Sequence, residues 1–190
     1  MTWFDAESKN FGTLGHGVND GSGNLLQMTQ GHVYRARVMS VKKGKSGEPG
    51  QLIGALKSPD ALGTLYKNTQ QGVFGTSDAD WEGAAIPVAK SDEIKTGNAV
   101  IRSTIAGESP REYSVKILKI YPKSRNNGRN LLLRVTDPAL LEATGGIVQG
   151  MSGSPIIQNG KLIGAVTHVL VNDPTRGYGI FIENMLDAAG

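Results

Sequence analysis

The sequence predicts an all-β protein, a barrel or a sandwich, and three observations carry that prediction. Short runs that alternate apolar and polar residues recur at hairpin spacing. Glycine is abundant, with 26 of 190 residues, as expected of many turns joining short strands. Helical periodicity is confined to two short stretches, at 138–143 and 181–189. The length suits one domain of ordinary size or two small lobes around a real core.

Thr2 to Phe4 and Phe11 to Leu14 read as two short strands joined by a polar turn, Asp5 to Asn10. Gly15-His16-Gly17-Val18-Asn19-Asp20 follows as a glycine-framed loop. From His32 to Val41, residues Val33, Tyr34, Ala36, Val38 and Val41 set a strand alternation. A basic, glycine-rich turn runs from Lys42 to Gly50, and Gln51 to Ala55 forms the next strand. Gly63 to Tyr66 and Gly72 to Gly75 are strand pieces around a turn, and Pro87 to Ala89 is a short one.

Ala99 to Ala106 and Glu112 to Ile120 are well-patterned strands separated by the turn Gly107-Glu108-Ser109-Pro110. A turn at Asn126-Asn127-Gly128 precedes a strand at Asn130 to Val135. Pro138 to Ala143 is predicted helical, with Asp137 as N-cap and Pro138 in the first turn. Ile156 to Gln158 and Lys161 to Val166 flank a hairpin turn at Asn159-Gly160, and Asp173-Pro174 reads as a turn. Phe181 to Ala189 is predicted as a terminal helix stopped by Gly190.

The composition narrows the chemistry. Cysteine is absent, which excludes disulfides, thiolate metal sites and a cysteine nucleophile. A net charge of +3 favours anionic surfaces mildly and is weak support for nucleic-acid binding. No apolar run reaches the ~18 residues of a membrane span. Strand-like residues follow Met1 at once, so the chain reads as an excised domain with an added start methionine. No phosphate-binding loop pattern occurs, and Lys42, Lys43 and Lys45 lack interleaved aromatics, which leaves phosphate or nucleic acid as a poor reading.

The most informative string is Gly150-Met151-Ser152-Gly153-Ser154-Pro155. A serine on a tight, glycine-framed turn between strands suits an acyl-transfer nucleophile, because glycine lets the backbone turn sharply and lets substrate approach. The same turn frees N–H groups for an oxyanion. An ordinary Gly/Ser/Pro turn would look alike locally. A nucleophilic serine needs a base. His16 sits in an exposed-type loop directly after a strand. His32 starts a strand and reads as surface or structural. His168 lies within the apolar run Ala165 to Val171 and reads first as a strand position facing core or cleft. Asp20, Asp137 and Asp173 are the aspartates in suggestive contexts for orienting the base, each with a competing turn or cap role, and spacing does not choose among them.

Thr144-Gly145-Gly146-Ile147-Val148-Gln149-Gly150-Met151-Ser152-Gly153-Ser154-Pro155-Ile156, with Gly164 to Val169, Val171 to Pro174 and Gly177-Tyr178-Gly179, resembles the peptidase domain of the stage IV sporulation protein B family. Ile182-Glu183, Met185-Leu186 and Ala189-Gly190 fit the same pattern, as does Phe11-Gly12-Thr13-Leu14-Gly15-His16 with Asp20. The resemblance is strongest over about residues 130–190 and 11–20.

That family is similar to the trypsin-like serine proteases. The resemblance implies two antiparallel β-barrels with the active site between them, a single peptidase domain over 1–190 and a lobe boundary near 90–98. Carried over by position, Ser152 is the nucleophile, His16 the base and Asp137 the third member, with the N–H groups of Gly150 and Ser152 as the oxyanion hole. Thr167, His168 and Val169 would line an edge that pairs with substrate. The chain departs from the trypsin-like pattern in three places: Met151 stands where an aspartate precedes the nucleophile, Asp137 lies 15 residues before Ser152, and His16 comes very early.

No cofactor or metal is implied. The implied partners are a protein or peptide substrate, the extracytoplasmic part of a membrane protein, and a PDZ domain of the same protein. Full-length relatives carry that domain and an N-terminal membrane or signal segment, neither of which falls in these 190 residues. The implied activity is cleavage of a membrane-associated regulator, and of itself, in the space between the membranes around the forespore, which triggers intramembrane processing of a mother-cell sigma factor. The competing expectation is a catalytically silent β domain that binds a partner in the same pathway.

Overall fold

The computed structural model describes residues 1–81, 83–125 and 127–190. Eleven strands and two helices are present: β1 (Trp3–Phe4), β2 (Asn10–Thr13), β3 (Gly31–Lys42), β4 (Gln51–Thr69), β5 (Gly72–Ser77), β6 (Gly97–Ser103), β7 (Arg111–Ile120), β8 (Leu131–Val135), α1 (Pro138–Thr144), β9 (Pro155–Gln158), β10 (Lys161–Leu170), β11 (Asp173–Phe181) and α2 (Ile182–Ala189). The all-β expectation and its short C-terminal helix hold. The second lobe is a closed barrel in the order β10-β11-β8-β7-β6-β9. The first is a curled five-stranded sheet, β1-β2-β5-β4-β3, which stays open.

The barrel closes because its strands alternate cleanly. Ala99 and Ile101 on β6, Tyr113, Val115 and Ile117 on β7, and Leu131, Leu133 and Val135 on β8 all bury the same face. Residues between them, such as Arg102, Glu112 and Arg134, face solvent. No such face exists on β3, where not one residue is buried, nor on most of β4, where only Gly63 is. Without an apolar layer these strands have nothing to close upon, and they run as a long hairpin from the open sheet to the barrel, where Gly44 N–H donates to the Thr144 carbonyl (2.9 Å) and Gly47 N–H to that of Val171 (2.9 Å).

The two lobes meet at a small apolar cluster. Phe74 of β5 packs with Leu162 and Ala165 of β10, Ile180 of β11, and Ile182 and Met185 of α2. Helix α2 thus acts as a wedge between the lobes. At the far end of the barrel, α1 starts at the Asp137 cap and ends at Gly145, which takes the left-handed conformation (φ 75°) and donates its N–H to the Leu141 carbonyl.

Three details differ from the sequence reading, and Asn126 of the expected turn lies outside the described residues. Pro87 to Ala89 is not a strand, and only Val88 bridges to Leu162. Strand β4 runs without interruption through Ser58-Pro59-Asp60, and Asp173-Pro174 opens β11 instead of forming a turn, which lies at Val171-Asn172.

Candidate active site

The Ser152 loop follows α1 and is stitched to β10. Gly153 N–H donates to the Val166 carbonyl (2.8 Å), Val166 N–H donates to that of Ser154 (2.9 Å), and Ser154 N–H to that of Met151 (3.0 Å). Met151 is fully buried. An apolar anchor beneath the loop therefore occupies the place where an aspartate was expected from the trypsin-like pattern. Gly150 and Gly153 have φ of 98° and 83°, values that favour glycine. Among the described residues, the N–H groups of Gly150 and Ser152 have no acceptor. These are the two groups the resemblance names for an oxyanion hole.

Strand β10 supplies the meeting point. Val166 pairs with Gly179 and His168 with Tyr178, which leaves Thr167 as the extra residue of a β-bulge. Bulges re-aim side chains and carbonyls beside active sites. The Thr167 hydroxyl is buried and donates to the Gly128 carbonyl (2.5 Å), with the Tyr178 carbonyl 3.3 Å away as the longer alternative acceptor. Its own carbonyl accepts from Ser152 Oγ at 3.1 Å.

The histidine loop arrives on the same residue. Leu14 and Gly15 both take positive φ (66° and 71°). A Cβ on Gly15 would come within 2.9 Å of Thr167 Cγ2, and one on Gly153 within 2.6 Å of Leu14 N. Both glycines are thus required by close approach, and together they press the loop of His16 against that of Ser152. His16 Nδ1 lies 2.8 Å from the Gly17 carbonyl. A carbonyl only accepts, so Nδ1 is the donor and Nε2 is left as the basic nitrogen. The His16 ring is tilted against that of His168, with centroids 5.6 Å apart.

His168 is half-buried, and its Nδ1 is enclosed without a hydrogen-bond partner among the described residues. Burial, reinforced by the nearby Arg129 and His16, lowers its pKa to about 4, so the ring is neutral near pH 7. Val169 follows on β10, partly buried against the barrel core.

The structure brings His16, Ser152, Thr167 and His168 together, and Asp137 is not among them. Its carboxylate accepts from Leu140 N (3.0 Å) and Ser114 N (3.3 Å), and no hydrogen bond or ion pair joins it to His16. Strand β8 separates Asp137 from Gly128, the residue beside Gly15 and His168. That strand spans roughly 16 Å at ~3.3 Å per residue. Asp20 caps its own loop by accepting from Ser22 N and Asn24 N. Asp173 accepts from Thr175 and Arg176 at the start of β11. His32 is exposed beside Tyr34.

Thr2 was not foreseen at the site. Its buried hydroxyl donates to the Gly153 carbonyl (2.7 Å), tying the residue before β1 to the Ser152 loop. A cleft of about 690 Å³ opens beside Ser152, lined by Gly150, Gly153, Ala36, Val38 and Leu52 among others. No group of three or more His, Cys, Asp or Glu side chains suited to a metal occurs among the described residues. No helix among them is long and apolar enough to cross a membrane.

Among solved structures, the chain is similar to the Rv3671c protease of M. tuberculosis. The active form has 15% identity and a TM-score of 0.47, with 82% of this chain and 79% of that one covered. The inactive form has 12% identity and a TM-score of 0.45, covering 80% and 85%. An HtrA-type protease, AlgW, with a bound tripeptide gives 14% identity and a TM-score of 0.44, covering 82% of this chain and 59% of that one. Nothing among the curated proteins matches the sequence. The model of the SpoIVB peptidase S55 family matches residues 1–186. The chain belongs to that family, and it is a serine peptidase.

Proposed function

We propose that Ser152 is the nucleophile and His16 its base in an endopeptidase whose oxyanion hole is formed by the N–H groups of Gly150 and Ser152. The observation that carries this reading is the convergence of both loops on Thr167: Ser152 Oγ on its carbonyl, and Gly15 against its side chain. In the cycle, Ser152 Oγ leaves the Thr167 carbonyl and attacks the scissile carbonyl carbon. His16 Nε2 takes the hydroxyl proton and returns it to the leaving amine. The Nδ1–H bond to the Gly17 carbonyl keeps the ring in the tautomer this needs. Each oxyanion donor contributes about 2.7–4 kcal/mol of transition-state stabilisation.

The arrangement described is a resting one, since Ser152 Oγ is bonded to a backbone carbonyl rather than an imidazole. Asp137 can take the third place implied by the resemblance only in a form that releases it from the α1 cap. Thr167, His168 and Val169 form the wall along which an extended substrate pairs, and the freed Thr167 carbonyl is the first acceptor it meets. Family membership supports the finer role: cleavage of the extracytoplasmic part of a membrane-associated regulator, and of the chain itself, outside the forespore during endospore formation.

The test is reaction with a fluorophosphonate probe, with the adduct located by mass spectrometry. Labelling at Ser152, lost in Ser152→Ala and in His16→Ala, is expected. Folded protein that takes up no label would instead favour the silent binding domain.

A further inference from the structure

The β3–β4 hairpin is the least explained part of the molecule. Residues 31–69 hold seven Lys or Arg and two Asp or Glu, a net +5, against +3 for the whole chain. The rest of the protein is therefore net negative. Within the hairpin, Lys57 is the sole cation with a carboxylate partner among the described residues, Glu108 at 2.6 Å. Tyr34, Met39, Ile53, Leu56 and Tyr66 are all exposed, Leu56 by 68%. A strand pair that buries almost none of its own residues, yet keeps cations and apolar side chains in water, fits a surface that binds something.

Its position says what. Ala36, Arg37, Val38, Leu52 and Gly54 line the same cleft as Ser152 and Gly150. Leu52 N–H donates to the Gln149 carbonyl (2.8 Å) and Gln149 N–H to that of Gly50 (2.9 Å), so the turn end of the hairpin is fixed to the segment that leads into Ser152. The outer edge of β3 is bridged to Gly107, through Val38, and elsewhere carries no strand partner among the described residues. Free edges of this kind accept an added strand. The hairpin also already attracts a carboxylate: Glu108 is held below its usual range chiefly by its bond to Lys57, with Arg37 and Arg35 adding to the pull.

We propose that the β3–β4 hairpin is a docking arm for the polypeptide substrate, taking an acidic, partly apolar extended segment that lies to one side of the scissile bond. The assignment rests on the peptidase reading above. The arm selects substrates by charge and holds them against the cleft, while Ser152 supplies the chemistry. Electrostatic selection of this kind acts mainly through association and is screened by salt.

Binding is measured on the Ser152→Ala chain by fluorescence anisotropy. The probes are a fluorescein-labelled peptide alternating glutamate with leucine, long enough to span the arm, and its lysine–leucine counterpart. The glutamate peptide should bind and the lysine peptide should not. Arg35→Glu with Arg37→Glu should weaken the glutamate peptide at least about tenfold, the coupling expected of close charge pairs. Added salt should weaken it in the unreversed arm as well, a check that needs no arm variant. Absence of binding, equal binding of both peptides, or insensitivity to the reversal would overturn the proposal. So would capture of phosphatidylglycerol vesicles without any peptide binding, which would assign the arm to a membrane surface. Fluorophosphonate labelling of the native chain reports on the peptidase reading separately, so the two can fail independently.

Discussion

Ser152 Oγ donates its proton to the backbone carbonyl of Thr167, 3.1 Å away, across the bulge in β10. That bond links the two ends of the candidate chemistry. On the proposed reading, the hydroxyl that would attack is restrained by the carbonyl that a substrate strand would occupy. A peptide paired with the bulged strand, as proposed, would compete for that carbonyl and free the hydroxyl in one move.

The bond is local and singly made, so its loss should cost little stability. Ser152→Ala is expected to change the free energy of unfolding by less than about 1.5 kcal/mol while abolishing probe labelling. Urea denaturation monitored by circular dichroism checks the first point. A larger loss would make Ser152 a structural element of its loop.

Asp137 offers a sharper test, because charge and cap can be separated. Asp137→Ala removes acceptors for Leu140 N and Ser114 N and should cost about 1 kcal/mol or somewhat more. Asp137→Asn keeps an N-cap acceptor and should preserve most of that stability. The measurement is again the urea midpoint. Labelling of the Asn variant then reports whether a carboxylate is needed by His16, a need that would lower reactivity on the order of 10⁴-fold.

Gly153→Ala should damage both fold and site. Its φ of 83° is unfavourable for alanine, and the new Cβ would lie 2.6 Å from Leu14 N. The obstacle is backbone on the histidine loop, which cannot swing aside. A loss of about 1–3 kcal/mol is expected from the backbone conformation alone, together with loss of labelling as the two loops are forced apart. Unchanged labelling would show that the loops need not touch.

His168 predicts a pH dependence. Its folded pKa of about 4 lies below the ordinary 6.5, so the unfolded chain takes up the proton first as pH falls. The stability associated with the neutral ring is complete above pH 6.5 and is lost on descent toward pH 4. His168→Gln, neutral throughout, should flatten this part of the curve by up to about one proton's worth of slope. Urea midpoints of the two proteins at neutral and mildly acid pH test it. Parallel curves would mean the ring is as easily protonated folded as unfolded.

Much of the barrel was legible because its strands obey a two-residue period. The strands expected at 99–106, 112–120 and 130–135 are present, and residues 99 and 101, then 113, 115 and 117, then 131, 133 and 135 face inward along them. The hairpin was not legible in full, since Ser58-Pro59-Asp60 carries turn chemistry yet remains in β4. A strand with a single buried residue has little core to report its continuity through hydrophobic spacing.

At the site, the Ser152 loop announced itself through glycine. The convergence on Thr167 did not, because a bulge is a property of two paired strands and has no mark in either. Asp137 carried both of its readings in the sequence. An aspartate before proline is an N-cap by local chemistry, and in this structure the local chemistry prevails.

The strands of the open sheet all lie between Trp3 and Ser77, and those of the barrel between Gly97 and Phe181. Each lobe is therefore assembled from one uninterrupted length of chain. The barrel holds nearly all of the large buried cluster and the sheet very little of it. Two such units open with different free energies, the sheet at the lower one. His16 hangs from the unit that opens first and Ser152 from the unit that opens last. Warming should then silence the enzyme before it unfolds, with amide exchange rising across residues 10–77 while the barrel amides stay protected.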